Sequence, residues 1–256
     1  MVASSVNAIL RVIEEMHRHL DQELTINDMA RTAMFSKFHF TRVFSEVTGT
    51  SPRRFLSALR LQEAKGLLLT TELTVADISS QVGYSSVGTF SSRFKACVGV
   101  SPSRFREVRG NVRELDLDPA DHRASTHRIS LRGRLVLPGD RPIGPVFVGL
   151  FPSSIPQGRP ARYLVADGPG PFELHHLPEG DWHVLAHSIP YSGLSASGGD
   201  DHGTRNALSV GRRGPVTMQV GVRPMPVDIL LRPADPWDPP VLLAVPGDAA
   251  GWKSAA

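Results

Sequence analysis

The sequence predicts a two-part chain: an all-α tandem helix-turn-helix region followed by an all-β, sandwich-like region. Three observations predict it. Only 2 of the 21 prolines and 6 of the 23 glycines fall in residues 1–110, and these residues punctuate strands and turns but break helix interiors. A detailed pattern in the first part recurs at an offset of 49 to 50 residues. The second part alternates apolar and polar residues over short runs separated by Gly/Pro turns.

Length and composition narrow the function classes. A chain of 256 residues accommodates two ordinary domains, each burying a core. Its one cysteine, Cys97, excludes an intramolecular disulfide and a cysteine-rich zinc site. Arg11, Glu14, Glu15 and Arg18 interrupt the apolar pattern at the N-terminus. A signal peptide or membrane span needs an unbroken apolar run, so a soluble cytoplasmic protein with no membrane partner is expected. The formal net charge of +3 is unevenly spread. Residues 1–110 carry 14 Lys and Arg against 10 Asp and Glu, and the remainder 14 against 15. A positive first domain suits a nucleic-acid surface.

Seven helices are expected at about 5–19, 26–32, 36–47, 52–69, 75–81, 86–97 and 102–108. Thr25-x-x-Asp28 and Thr74-x-x-Asp77 are capping-box patterns with Asp in place of Glu. Ser51-Pro52 and Ser101-Pro102 place a cap residue before a proline at the first helical position. Gly49 and Gly99 stand where helices stop.

These signals come in pairs. Leu24-Thr25-Ile26-Asn27-Asp28-Met29 returns as Leu73-Thr74-Val75-Ala76-Asp77-Ile78, an offset of 49. After the turn the offset is 50: Phe40, Phe44, Gly49, Ser51, Pro52 and Phe55 return as Phe90, Phe94, Gly99, Ser101, Pro102 and Phe105. Each copy reads as a short helix, a tight turn and a longer helix. In the first longer helix Phe40, Val43, Phe44 and Val47 form a buried stripe. Lys37, Phe38, His39, Thr41, Arg42 and Ser45 occupy its other face. This is a helix-turn-helix, whose second helix presents its early residues to base edges in the major groove. The helix beginning at Pro52 would hold the two copies about one duplex turn apart.

Residues 127–233 read as strands at His127–Leu137, Pro145–Phe151, Arg162–Ala166, Pro171–His176, Trp182–Ser188, Ala207–Val210, Val216–Val222 and Val227–Leu231. Short, closely spaced strands argue a sandwich. The domain bounds are thus 5–110 for the helical region, 111–126 for a linker, 127–233 for the β region and 234–256 for an extended tail. His175, His176, His183, His187 and His202 with Asp200 and Asp201 are the candidate metal ligands. They lack zinc-type spacing, and no nucleophile elbow, phosphate loop or dinucleotide fingerprint occurs. No cofactor, metal or catalysis is therefore expected. The competing reading is a metal-dependent enzyme recruited to DNA by its helical domain.

The helical region resembles the AraC/XylS family of transcription regulators. The residues that carry the likeness are Leu24-Thr25 with Ala30, and Ser36-Lys37-Phe38-His39-Phe40 through Gly49-x-Ser51-Pro52 with Phe55. They continue with Arg60-Leu61-x-x-Ala64-x-x-Leu67-Leu68, Val82-Gly83-Tyr84, Phe90-x-x-x-Phe94 and Gly99-Val100-Ser101-Pro102-x-x-Phe105-Arg106. The resemblance implies double-stranded DNA as partner, with RNA polymerase as a second. It implies base readout by Phe38, Thr41 and Arg42, with Lys37 and His39 beside them. Two alternatives stand: Phe38 packs in the core, or Arg42 holds a phosphate. Arg93 departs from the family pattern, because an apolar residue is usual there; Thr89, Ser91 and Ser92 are expected to make weaker contacts, so that the second copy, with Arg93 among its DNA-binding residues, mainly holds the backbone. Thr50, Ser51 and Thr74 at helix N-termini either grip phosphates or cap their helices. Leu131-x-Gly133-x-Leu135 through Trp182-x-Val184 resembles the carboxypeptidase-regulatory-like, or transthyretin-like, sandwich. That region is expected to bind a small-molecule effector or to mediate self-association or another protein contact.

Overall fold

The structure, a computed structural model, describes residues 2–109, 129–139, 143–158, 160–188 and 208–242. The expected linker at 111–126, residues 191–204 with Asp200, Asp201 and His202, and the part of the expected tail beyond 242 lie outside them. Two compact units form. One comprises Met1–Val112, Ile155–Gly158 and Pro236–Val245; the other comprises Arg113–Ser154, Arg159–Asp235 and Pro246–Ala256. No helix among the described residues is long and apolar enough to cross a membrane.

The helical unit contains α1 (Val2–Arg18), α2 (Ile26–Ala33), α3 (Lys37–Thr48), α4 (Pro52–Thr70), α5 (Val75–Gln81), α6 (Val87–Val98) and α7 (Pro102–Glu107). Their starts are written locally. Thr25 and Thr74 each accept a bond from the backbone N–H three residues on, while Asp28 and Asp77 return the favour to the cap backbone. Hydrogen bonding to Thr25 holds the Asp28 carboxyl below its usual pKa. Gly49 and Gly99 close α3 and α6 in the left-handed conformation, at φ 75° and 103°. Ser51 departs from expectation: unlike Ser36, Ser86 and Ser101, its side chain makes no capping bond.

The repeat also organises the interior. Phe40, Phe44 and Phe55 stack edge to face with centroids 5.5 Å apart at each step. Phe90, Phe94 and Phe105 repeat the ladder at 5.7 and 5.6 Å. Such aromatic pairs add about 0.5–1.5 kcal/mol each beyond their burial. The first ladder joins Ile9, Val12, Met16, Met29 and Leu59 in one apolar core, with Trp237 packed on its margin.

Two arginines tie each copy to what precedes it. Arg60 on α4 donates through Nε to Leu20 O at 2.9 Å and through Nη2 to Gln22 O at 2.7 Å. Arg106 on α7 likewise donates to Leu68 O at 3.2 Å and Leu73 O at 2.6 Å. Arg60 reaches the loop that leads into α2, and Arg106 spans the last turn of α4 and the loop that leads into α5, places where backbone carbonyls lack intrahelical partners.

The second unit is built of β1 (Ile129–Val136), β2 (Val146–Phe151), β3 (Arg162–Ala166), β4 (Gly170–Leu177), β5 (Gly180–Ser188), β6 (Ser209–Met218), β7 (Val227–Leu230) and β8 (Arg232–Pro233). One sheet runs β4-β1-β7 and the other β3-β2-β5-β6-β8. The β1–β7 pair is parallel and the other pairs are antiparallel. Leu131, Leu135, Val148, Leu150, Leu174 and Ile229, drawn from both sheets, belong to one apolar cluster. The strands expected at 207–210 and 216–222 are instead one ten-residue strand, β6, crossing Gly214-Pro215. The register shift between Trp182 and Val184 lies opposite that dipeptide, so a proline without an N–H is accommodated at an irregularity of the ladder.

Candidate nucleic-acid interface

α3 is a helix with one face committed to the core and the other to solvent. Phe40, Val43, Phe44 and Thr48 are buried. Phe38, two residues before Phe40, is 88 % exposed, which removes the core-packing alternative for that ring. Lys37, His39 and Arg42 are exposed beside it. An aromatic ring left in water next to three nitrogen donors is unfavourable unless something covers it.

The side chains are already partly arranged. Arg42 Nη1 lies 2.8 Å from Glu46 Oε1, one turn on, and Nη2 lies 3.3 Å from His39 Nδ1. The exposed Arg42–Glu46 pair contributes about 0.3–0.5 kcal/mol, far less than a bidentate guanine contact at about 1–3 kcal/mol. Glu46 thus orients the guanidinium without holding it against a better partner. The Thr41 hydroxyl donates to Lys37 O at 2.8 Å, which leaves its lone pairs free.

Thr50 and Ser51 stand differently. Thr50 is 6 % exposed, and its N–H lies 3.3 Å from Thr48 Oγ1, so little of it reaches solvent. Ser51, whose hydroxyl is not used as a cap, is half-buried at the start of α4, with Arg53 and Arg54 exposed just after it. Thr74 is occupied in its box with Asp77, whose Oδ2 lies 2.6 Å from the threonine hydroxyl and 3.2 Å from its N–H.

On α6, Thr89, Ser92 and Arg93 are exposed and Ser91 is half-buried, while Phe90, Phe94, Cys97 and Val98 face inward. Arg93 Nε lies 3.5 Å from Ser57 Oγ on α4, and that hydroxyl lies 3.3 Å from the Tyr84 hydroxyl. Between the copies runs a groove of about 1240 Å³, walled by Arg53, Ser57 and Arg60 on one side and by Tyr84, Thr89 and Arg93 on the other. Burial pushes the Tyr84 phenol above its ordinary pKa, so it remains a neutral hydroxyl donor.

Gly83 figured in the sequence reading only within a motif, with no structural task. It has φ +80°, and an added Cβ would lie 2.2 Å from Leu20 O and 2.8 Å from Arg60 Nη2. Met34, its counterpart at the offset of 49, adopts φ 58° as a methionine and is 75 % exposed. The left-handed turn alone therefore tolerates a side chain; close approach of the first copy makes glycine necessary in the second. Comparison of the two turns within the sequence was the available signal.

In the β unit, His187 is buried and His183 is partly buried on the same strand, with its pKa lowered by desolvation and by Arg212. Among the described residues no three of His, Cys, Asp and Glu gather as a metal-holding group.

Residues 29–107 match a family model described as a helix-turn-helix domain. The HTH-type transcriptional activator AarP of Providencia stuartii is 35 % identical over 104 residues, covering 41 % of this chain and 75 % of AarP. The Msm operon regulatory protein of Streptococcus mutans is 32 % identical over 107 residues. That match covers 41 % of this chain and 37 % of the relative, so this chain spans little more than a third of it. A solved transcriptional regulator of Chromobacterium violaceum, described as having an AraC-type DNA-binding domain, is 27 % identical, with a TM-score of 0.40 over 42 % of this chain and 96 % of its own.

Proposed function

The chain belongs to the AraC/XylS family of transcription regulators, and on that premise we propose that it binds double-stranded DNA through both helix-turn-helix copies, with α3 as its sequence-reading helix. The observation that carries this reading is the exposed Phe38 ring flanked by Lys37, His39 and Arg42 on a helix whose opposite face is core. Arg42 donates two hydrogen bonds to a guanine edge, Phe38 covers thymine methyls, and Thr41 and His39 complete the contact. Ser51, with the N–H groups opening α4, takes a phosphate. Thr50 packs beneath it. Through Thr89, Ser91, Ser92 and Arg93 the second copy makes weaker contacts with the same DNA. RNA polymerase is the partner through which binding changes transcription, in the cytoplasm.

The β unit is sandwich-like, a reading supported by two sheets contributing to one core. Its role is regulatory, through an effector or through self-association. Exposed Val220, Val222 and Met225 in the β6–β7 connection support association, and a mass that rises with protein concentration is its expected signature.

Selection of bound genomic fragments by the purified chain tests the main reading. A recurring site is expected, and Arg42→Ala should weaken it unevenly across base pairs, by about 1–3 kcal/mol at its contact. Binding without a recurring site, indifferent to Arg42→Ala, would refute base reading by α3.

A further inference from the structure

The two recognition helices occupy equivalent places in the repeat and are chemically unlike. The offset of 50 that pairs Phe40 with Phe90 and Phe44 with Phe94 also pairs Lys37 with Val87, Phe38 with Gly88, Thr41 with Ser91 and Arg42 with Ser92. Where α3 offers charge or an aromatic face, α6 offers only small or aliphatic groups. None of these four can make the two-pronged contacts by which arginine, lysine, asparagine or glutamine distinguishes a base.

The arginine of α6 is displaced by one position. Arg93 pairs with Val43, which is 6 % exposed in the first core. In the second copy that position is exposed and approaches α4, where its Nε lies 3.5 Å from Ser57 Oγ. Arg53 stands one turn before Ser57 on α4, and both arginines line the groove between the copies. Arg60, deeper in the groove, already donates to Leu20 O and Gln22 O. Among the described residues neither Arg53 nor Arg93 pairs with a carboxylate. Two cations without a carboxylate partner thus border a groove that also carries the Ser57 and Tyr84 hydroxyls, while its two carboxylates, Asp21 and Glu23, act on Arg60.

The groove lies where a duplex has to pass. α4 has 19 residues and is therefore about 28 Å long, comparable with the ~34 Å between successive major-groove segments. DNA engaged by both copies carries its sugar-phosphate backbone across the intervening space. Gly88, Thr89 and Ser92 border the groove, and their small side chains let that backbone approach α6 closely.

We propose that this groove seats the phosphodiester backbone of bound DNA, with Arg53 and Arg93 each holding a phosphate, so that the second copy anchors the duplex while the first reads it. The proposal rests on the DNA-binding reading above and assigns a separate task to the second copy. Guanidinium suits it, because its planar fork matches phosphate oxygens.

The test is the salt dependence of affinity of the full chain, on a selected site and on an unrelated duplex of equal length. Each neutralised phosphate contributes about 0.9 to the slope of log K against log salt. Arg93→Ala and Arg53→Ala should each reduce that slope by about 0.9. Each should also weaken both duplexes by a common factor, roughly five- to tenfold at 0.1 M salt. Arg93→Lys should restore the slope, which separates lost charge from a damaged fold. Base preferences in a fragment selection should not change. Unaltered slopes in both alanine variants would overturn the proposal. So would a loss confined to the selected site with a changed preference at particular base pairs, since Arg93 would then be a reader. Failure of base reading by α3 shows differently, as wild-type protein without a recurring site, and leaves the slope comparison intact.

Discussion

Gly83→Ala tests how rigidly the two copies are joined. At φ +80° an alanine gives up roughly 1–2 kcal/mol to the contact between its Cβ and the following carbonyl oxygen. Its Cβ would also stand 2.2 Å from Leu20 O, about 1 Å inside an ordinary contact, so the loop of the first copy has to retreat. Leu20 O is the acceptor of the Arg60 Nε bond at 2.9 Å, and Arg60 Nη2 and Cζ would lie only 2.8 and 2.9 Å from the new methyl. Loss of one hydrogen bond from a charged donor costs a further ~1.5–3 kcal/mol. The total is about 2.5–5 kcal/mol. For a domain of roughly 100 residues each kcal/mol shifts Tm by ~4–8 °C, so a fall of at least ~10 °C is expected. Thermal unfolding followed by helical circular dichroism measures the fall, and urea unfolding the free energy. At temperatures where the variant remains folded, binding to a site spanning both copies should fall further than binding to a half-site. A midpoint within about 1 kcal/mol of wild type, with both duplexes bound as before, would refute the claim that Gly83 sets the junction.

The capping bonds predict a contrast within the chain: Thr74→Ala should cost about 1 kcal/mol of stability, whereas Ser51→Ala, with no capping bond to lose, should cost little and instead weaken DNA binding. Equal losses of stability in the two variants would contradict these roles. Lys65 supplies a pH dependence. Its ammonium, 3.4 Å from Val241 O and Leu242 O, is desolvated, which lowers its pKa from 10.5 to about 8. Between those values the unfolded chain binds more protons, so stability should rise as pH increases from 8 to 10.5, by up to about 3 kcal/mol. Lys65→Met should be the more stable protein at pH 7 and should flatten that rise; a difference independent of pH would show the ammonium to be solvated.

The helical elements were legible because their causes are local. Threonine and aspartate three residues apart make a box wherever the chain turns into a helix, and Gly49 and Gly99 end helices through their own backbone. The repeat made the aromatic ladders legible too, since equal spacing places Phe40, Phe44 and Phe55 as it places Phe90, Phe94 and Phe105. Gly214-Pro215 misled because punctuation read along one strand takes no account of its neighbour; the irregular pairing of β5 absorbs the proline. Ser51 matched its three capping serines in sequence, yet its hydroxyl makes no such bond.

By itself, then, the sequence determined the two kinds of domain, the seven helices, the paired copies and the chemistry carried on α3, all set by periodicity and by interactions within a few residues. Only the tertiary structure decided that Phe38 is left in solvent, that Thr50 is buried and that Arg60 staples the loop before α2. It also decided that Gly83 admits no side chain and that Arg53 and Arg93 line one groove. Those outcomes depend on atoms far apart in the chain, whose meeting is selected by close packing of the whole unit rather than by any local preference.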